Sequence, residues 1–404
     1  MTDAIDANWA DQVAFLKELV RVPSDNPPGD CARHAERSAF LLDELGFKVE
    51  RHPVPADLVE RYGMVSVENL IVRRHFGSGQ GPTIALNAHG DVVPPGDGWT
   101  ADPYGAEERN GAIYGRGVAV SKSDFATYAF ALKALEAAPD GLDGAIELHL
   151  TYDEEAGGFV GPKWLLDEGL SKPDYAISAG FSYAIVTAHN GCLHLEVTVR
   201  GRQAHAAMPE SGIDALEAAN AILTALYGER HALGGVDSAT PGIGSPKLTV
   251  GLISGGINTN VVPDRVTLRV DRRIVPEEDG AEVEAKLIRL IETAAHAVPG
   301  AVIECRRIML AEPLRELPGS DRLVEAVQAP AQVILGVPVE TTGVPLYTDA
   351  RHYTAAGIPT ILYGAGPRSI LEANAHGADE HLQLSDLRAA TEIVARALRT
   401  LLSR

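Results

Sequence analysis

The sequence predicts an α/β fold, a mostly parallel, helix-covered sheet interrupted by a small ferredoxin-like α+β domain. Three observations carry this. Strand-like and helix-like runs alternate through residue 188, as in sheets whose crossovers are helices. A βαββαβ order then occupies 189–308. The first pattern returns over 309–404. At about 150 residues per domain, 404 residues hold two or three domains. The reading is therefore one domain in two parts, 1–188 and 309–404, with a second domain inserted at 189–308.

The elements follow from periodicity. Trp9 to Val20 places Val13, Leu16, Leu19 and Val20 at helical spacing, and Ala32 to Leu45 does the same before Gly46 stops it. Strands are expected at Lys48–Val54, Asn69–Arg73 and Pro82–Ala88, the last ending in His89-Gly90-Asp91. Asp124–Ala138 reads as a helix capped by Ser123, and Ala145–Tyr152 as a strand ending in Asp153-Glu154-Glu155. A short helix at Pro162–Glu168 and a strand at Tyr175–Ser178 complete the first part. The insert reads as strand Leu193–Arg200, helix Asp214–Tyr227, strands Lys247–Ile253 and Arg265–Ile274, helix Glu282–Ala295 and strand Ala301–Met309. Strand Thr360–Tyr363 and helix Ser385–Leu402 close the chain.

Composition narrows the function classes. Lys plus Arg is 35 and Asp plus Glu is 55, a net charge of −20, which repels phosphate backbones and argues against a nucleic-acid partner. No run of apolar residues is long enough to span a bilayer, so no membrane partner is expected. The acidic start, Met1 to Asp6, lacks a signal-peptide pattern. The three cysteines, Cys31, Cys192 and Cys305, form no CxxC pair, so a reducing, cytoplasmic setting is expected.

Polar residues cluster just after strand ends, where open α/β sheets place ligands. In His89-Gly90-Asp91, an Asp two residues from a His can accept its second ring N–H and orient it for a metal. Read alone, this segment equally fits a surface loop. Glu154 and Glu155 point in different directions, so one suits a metal while the other moves protons; a solvated acidic turn is the plain alternative. His376, among small residues in a late loop, and His205, after the first inserted strand, are candidate ligands, although isolated histidines are usually not ligands and His205 equally fits a structural turn.

Together these segments resemble one family over nearly the whole chain, the zinc carboxypeptidases, aminoacylases and deacylases, which include acetylornithine deacetylase, succinyl-diaminopimelate desuccinylase and glutamate carboxypeptidase G. The matching pieces are His89 to Pro94, Gly98-Trp99 with Asp102-Pro103-Tyr104, Tyr114 to Gly117, Asp153-Glu154-Glu155 with Gly157-Gly158, Gly201 to His205 with Pro209, Gly255 to Asn258 with Asn260 to Asp264, and Ala375-His376-Gly377 with Glu380. The resemblance implies that His89 ligates one zinc with Asp91 behind it, that Glu154 is the general base, and that Glu155 and His376 ligate the other zinc. It implies that the insert is a lid and homodimer interface, that His205 reaches the partner subunit's site to steady an oxyanion, and that Asn260 and Arg273 hold a substrate carboxylate, a role suited to Arg's planar fork.

The chain departs from that pattern twice. The position of the Asp that bridges both zincs is Val120, and Ala179-Gly180-Phe181-Ser182 supplies no acid where the family has a further carboxylate ligand. Two cations about 3.5–4 Å apart need a shared anion, so the expectation is one divalent ion per subunit rather than two. Zinc, manganese or cobalt would be held by Glu155, His376 and a displaced His89, with Asp124, His189 and Asp349 as candidate replacements. The expected function is hydrolysis of an amide or related C–N bond in a small carboxylate-bearing molecule. The alternatives are a hydrolytic deaminase, a metal-free ligand-binding or assembly subunit, and a two-metal dipeptidase.

Overall fold

The computed structural model describes residues 1–369 and 371–403. It divides into two compact units. The first comprises Met1–Thr187, Glu316–Thr342 and Thr348–Arg404; the second comprises Ala188–Arg315 and Gly343–Tyr347. Among the described residues, no helix is long and apolar enough to cross a membrane.

The first unit is built on an eight-stranded sheet in the order Val49–Pro53, Glu68–Phe76, Gly144–Thr151, Thr83–His89, Tyr175–Ser178, Thr360–Leu362, Ala184–His189 and Glu340–Val344. The four strands from Gly144–Thr151 to Thr360–Leu362 run parallel. Antiparallel neighbours flank them on both sides, so the sheet is mixed. Every residue of Gly144–Thr151 is buried, as a parallel strand covered on both faces requires.

Helices Trp9–Val20 and Leu384–Leu402 pack on the helix Lys122–Glu136, with Phe15 and Phe130 edge to face at 5.7 Å. That central helix begins two residues before its expected start, with Ser121 rather than Ser123 at its N-cap. Ser123 lies inside the helix with its buried hydroxyl unpartnered, so it caps nothing, and the buried Asp124 carboxylate accepts the Ala365 backbone N–H at 2.7 Å.

The second unit shows the expected βαββαβ order. Its four strands are wholly antiparallel, arranged as Lys247–Gly255, Arg265–Ile274, Gly191–Arg200 and Val302–Ala311. The final strand runs to Ala311, beyond the expected boundary at 308, because its ladder continues until Ala311 meets Cys192. Helices Ala215–Leu233 and Gly280–Ala295 start at Asp214 and Asp279, whose carboxylates accept the first backbone N–H groups. Leu193, Leu195, Val197 and Val199 alternate into the core beneath these helices.

Burying Glu147 and His149 in the central sheet requires partners. His149 donates its Nε2–H to Glu147 at 3.0 Å and accepts from the Tyr353 hydroxyl at 2.8 Å, while Arg73 and Ser171 also donate to Glu147. Burial pushes the Glu147 carboxyl up, but His149, Ser171 and Arg73 outweigh it and hold the pKa at about 2. Because the folded value lies below the ordinary 4.5, the stabilisation is present above that value and fades as pH falls toward 2. Glu147→Gln is expected to cost about 2 kcal/mol at neutral pH, a gap that closes in acid. Urea unfolding across pH checks this, and an unchanged gap near the lower value would contradict it.

Candidate active site

Strand register creates the site. His89 ends its strand opposite Thr151 of the parallel neighbour, and the chain turns after Thr151 into a single 3-10 turn, Glu154–Ala156. Two strand ends thus deliver His89, Glu154 and Glu155 to one place, at the C-terminal edge of the parallel strands.

Asp91 fixes this arrangement. Fully buried, it accepts the Glu154 N–H at 3.2 Å on Oδ1, and the Glu155 N–H at 3.1 Å and the Asn26 side-chain amide at 2.9 Å on Oδ2. His89 Nδ1 lies 3.0 Å from the Asp91 main-chain oxygen and 3.4 Å from Oδ1. Those contacts place the proton on Nδ1 and turn Nε2 toward Glu154, whose Oε2 is 4.0 Å away. Burial opposes charge on His89, but Asp91, Glu154 and Glu155 together raise its pKa well above the usual imidazole range. Glu154 is raised too, by burial first and then by Glu155, Asp349 and Asp91, with His89 opposing.

His376 comes from the late loop, where it adopts a left-handed backbone with φ of 63°. Its Nε2 is 3.3 Å from Glu155 Oε1, and this contact raises its pKa against partial burial. The loop is anchored by a buried ion pair. Arg116 donates to Glu380 at 2.6 Å and to the Gly377 carbonyl at 3.1 Å. Glu380 in turn accepts the N–H groups of Ala119 at 2.9 Å and Val120 at 3.3 Å. Sequence reading found both residues as motif members but not their pairing, because 264 positions separate them. Asn26 gave no signal at all.

The donors are of the metal-binding type. Single ligand atoms of His89, Glu154 and Glu155 lie within 4.8 Å of one another, and His376 joins them through Glu155. Val120 offers only hydrocarbon in place of a bridging oxygen. Near Ala179, the Ala179 N–H goes to the Asn87 carbonyl and the Gly366 N–H to the Gly180 carbonyl, and the Asp124 carboxyl accepts from the Gly180 backbone. Of the three candidate replacements, Asp124 serves the Ala365 backbone, and the His189 ring lies against the backbone of Asn190 and Leu314 within the second unit. Asp349 differs. Its Oδ1, like that of Asp153, is buried without a hydrogen-bond partner, and burial lifts its pKa to about 6.

In the second unit, His205 bridges Val261, and the Ala206 N–H binds the Asn260 carbonyl at 3.0 Å, so His205 and Asn260 share one end of the sheet. Arg273 does not join them. It lies near the far end of Arg265–Ile274, roughly 25 Å along that strand.

A model of peptidase family M20/M25/M40 matches residues 85–400. A succinyl-diaminopimelate desuccinylase of Acidiphilium cryptum is 31% identical over 96% of this chain and 98% of its own length. An aminopeptidase of Bacillus cereus, 24% identical, superposes with a TM-score of 0.77 over 98% of this chain and 99% of its own. An M20 family metallo-carboxypeptidase of Sulfolobus solfataricus, 19% identical, does so at 0.73 over 97% and 98%. These two structures share the mixed α/β architecture. The chain belongs to peptidase family M20/M25/M40 and is a hydrolase of the metallopeptidase and deacylase kind, acting on amide bonds.

Proposed function

We propose that this chain hydrolyses an amide bond in a small carboxylate-bearing substrate using a single divalent cation, with Glu154 as the base. The observation that carries the reading is the meeting of Glu154, His89 and the Glu155–His376 pair at two adjacent strand ends, with no donor at Val120. The name of the Acidiphilium cryptum relative makes succinyl-diaminopimelate the first substrate to try.

Glu155, His376 and His89 would hold the ion, and carboxylate and imidazole donors suit zinc, manganese or cobalt. Bound there, it supplies the positive charge that polarises a carbonyl and acidifies a neighbouring water. Glu154 takes a proton from that water and delivers it to the leaving nitrogen. Asp91 keeps His89 and the acid turn aligned.

His205 and Asn260 at one end of the inserted sheet, and Arg273 near the other, cannot touch the same small substrate from one chain. A homodimer through the inserted domain resolves this, with His205 completing the partner's site. Exposed Leu252 and Ile253 on the edge strand Lys247–Gly255 give such an interface apolar surface.

Three outcomes are expected. Glu154→Gln should abolish turnover with metal content intact, and unchanged turnover would remove Glu154 as the base. Glu155→Ala should release one equivalent of metal, measured by elemental analysis after gel filtration; the release of two, or of none, would contradict the single-cation reading. Mixing inactive His205→Ala and Arg273→Ala chains should restore roughly a quarter of wild-type activity after subunit exchange, since each mixed dimer regains one whole site. No recovery in dimers shown to have exchanged would refute the role of His205 across subunits.

A further inference from the structure

The inserted sheet carries a second cluster of metal-type donors. In the antiparallel pair Gly191–Arg200 and Arg265–Ile274, His194 stands opposite Asp271, and Cys192 stands opposite Arg273. Side chains two apart on a strand share a face, so all four project together, away from the face where Leu193 and Leu195 meet the helices. His194 Nε2 is 2.9 Å from Asp271 Oδ2, and Cys192 Sγ is 3.7 Å from the same oxygen. The three donor atoms lie within 4.8 Å of one another. Arg273 Nε donates to the other oxygen, Oδ1, at 3.0 Å, which fixes the carboxylate with Oδ2 toward the thiol and imidazole. Cys192 is buried, whereas the side chains of His194 and Asp271 are 35% and 30% exposed, so the cluster is sealed beneath and open to solvent above.

We propose that Cys192, His194 and Asp271 form a divalent-cation site in the inserted domain, selective for zinc or cobalt and completed by solvent in a fourth position. Tetrahedral bonds of about 2.0–2.3 Å set donors roughly 3.3–3.6 Å apart. The thiol–carboxylate spacing is close to this already, and the His194–Asp271 contact opens by roughly half an ångström as the cation takes Nε2 and the ring proton moves to Nδ1 through solvent. Cys192 binds as thiolate and releases its proton to solvent, one for each ion bound, with no change of oxidation state. The thiolate disfavours magnesium and manganese, which prefer oxygen donors. Two neighbouring strands of one sheet hold the donors in place, as a site of defined geometry needs. The site shares Arg273 with the substrate-binding role proposed above but needs none of the donors assigned to the first unit.

The test is a cobalt(II) titration of metal-stripped, fully reduced protein, followed in the near ultraviolet for sulfur-to-cobalt charge transfer and by metal content after gel filtration. The wild type is expected to show the band and to retain one equivalent beyond the one held at Glu155. Cys192→Ser should lose the band and that equivalent with its thermal unfolding unchanged. His194→Ala, at a partly exposed position, should weaken cobalt binding by roughly a hundredfold or more. Glu155→Ala should keep the band, which separates this site from the first. Absence of a thiolate band in the wild type, or its survival in Cys192→Ser, would overturn the proposal.

Discussion

The buried carboxylate of Asp91 is the constraint on which the site depends. A carboxylate without solvent is costly unless its oxygens are satisfied, and this one is satisfied by Asn26 and by the backbone of the acid turn itself. The positions of Glu154 and Glu155 are therefore tied to the residue that orients His89. A parallel pair of strands brings these segments close, and Asp91 converts closeness into a fixed geometry. Its effect on His89 is electrostatic as well as geometric, since it helps to hold the imidazole pKa high in a buried setting.

A second constraint acts on the late loop. Arg116 and Glu380 form a buried pair that uses the remaining carboxylate oxygen to hold Ala119 and Val120. Removing either partner would strand a buried charge. The segment that carries Val120 thus keeps a defined path although its side chain has no lone pair to offer. The same pair positions His376 beside Glu155. Val120 therefore contributes one donor fewer while the segment around it stays anchored, and the one-cation proposal rests on that combination.

Much of this was legible in the sequence, and the parts that were not share a cause. Long periodic elements were read to within a few residues: Trp9–Val20, Tyr175–Ser178 and Arg265–Ile274 match their expected ranges. The helix Ser320–Leu335 was missed because Pro330 lies within it and masks the pattern. The short strands Glu107–Arg109, Ala112–Tyr114 and His381–Gln383 exist only through pairing with one another and carry little local signal. Asp124 looked like a first-turn acid, yet its partner is Ala365, 241 residues away. His89, Asp91, Glu154, Glu155 and His376 stood out by residue type and position, whereas Asn26 and the unpartnered oxygens of Asp153 and Asp349 depend on long-range packing. The separation of 77 positions between His194 and Asp271 concealed the cluster in the insert in the same way.

The most direct test of the central claim is an anomalous-difference map from crystals grown with zinc. The account predicts one peak in the first unit, bonded to Glu155 and His376 and within reach of His89, with Glu154 beside it. Two peaks about 3.5–4 Å apart in that pocket, or none, would contradict it.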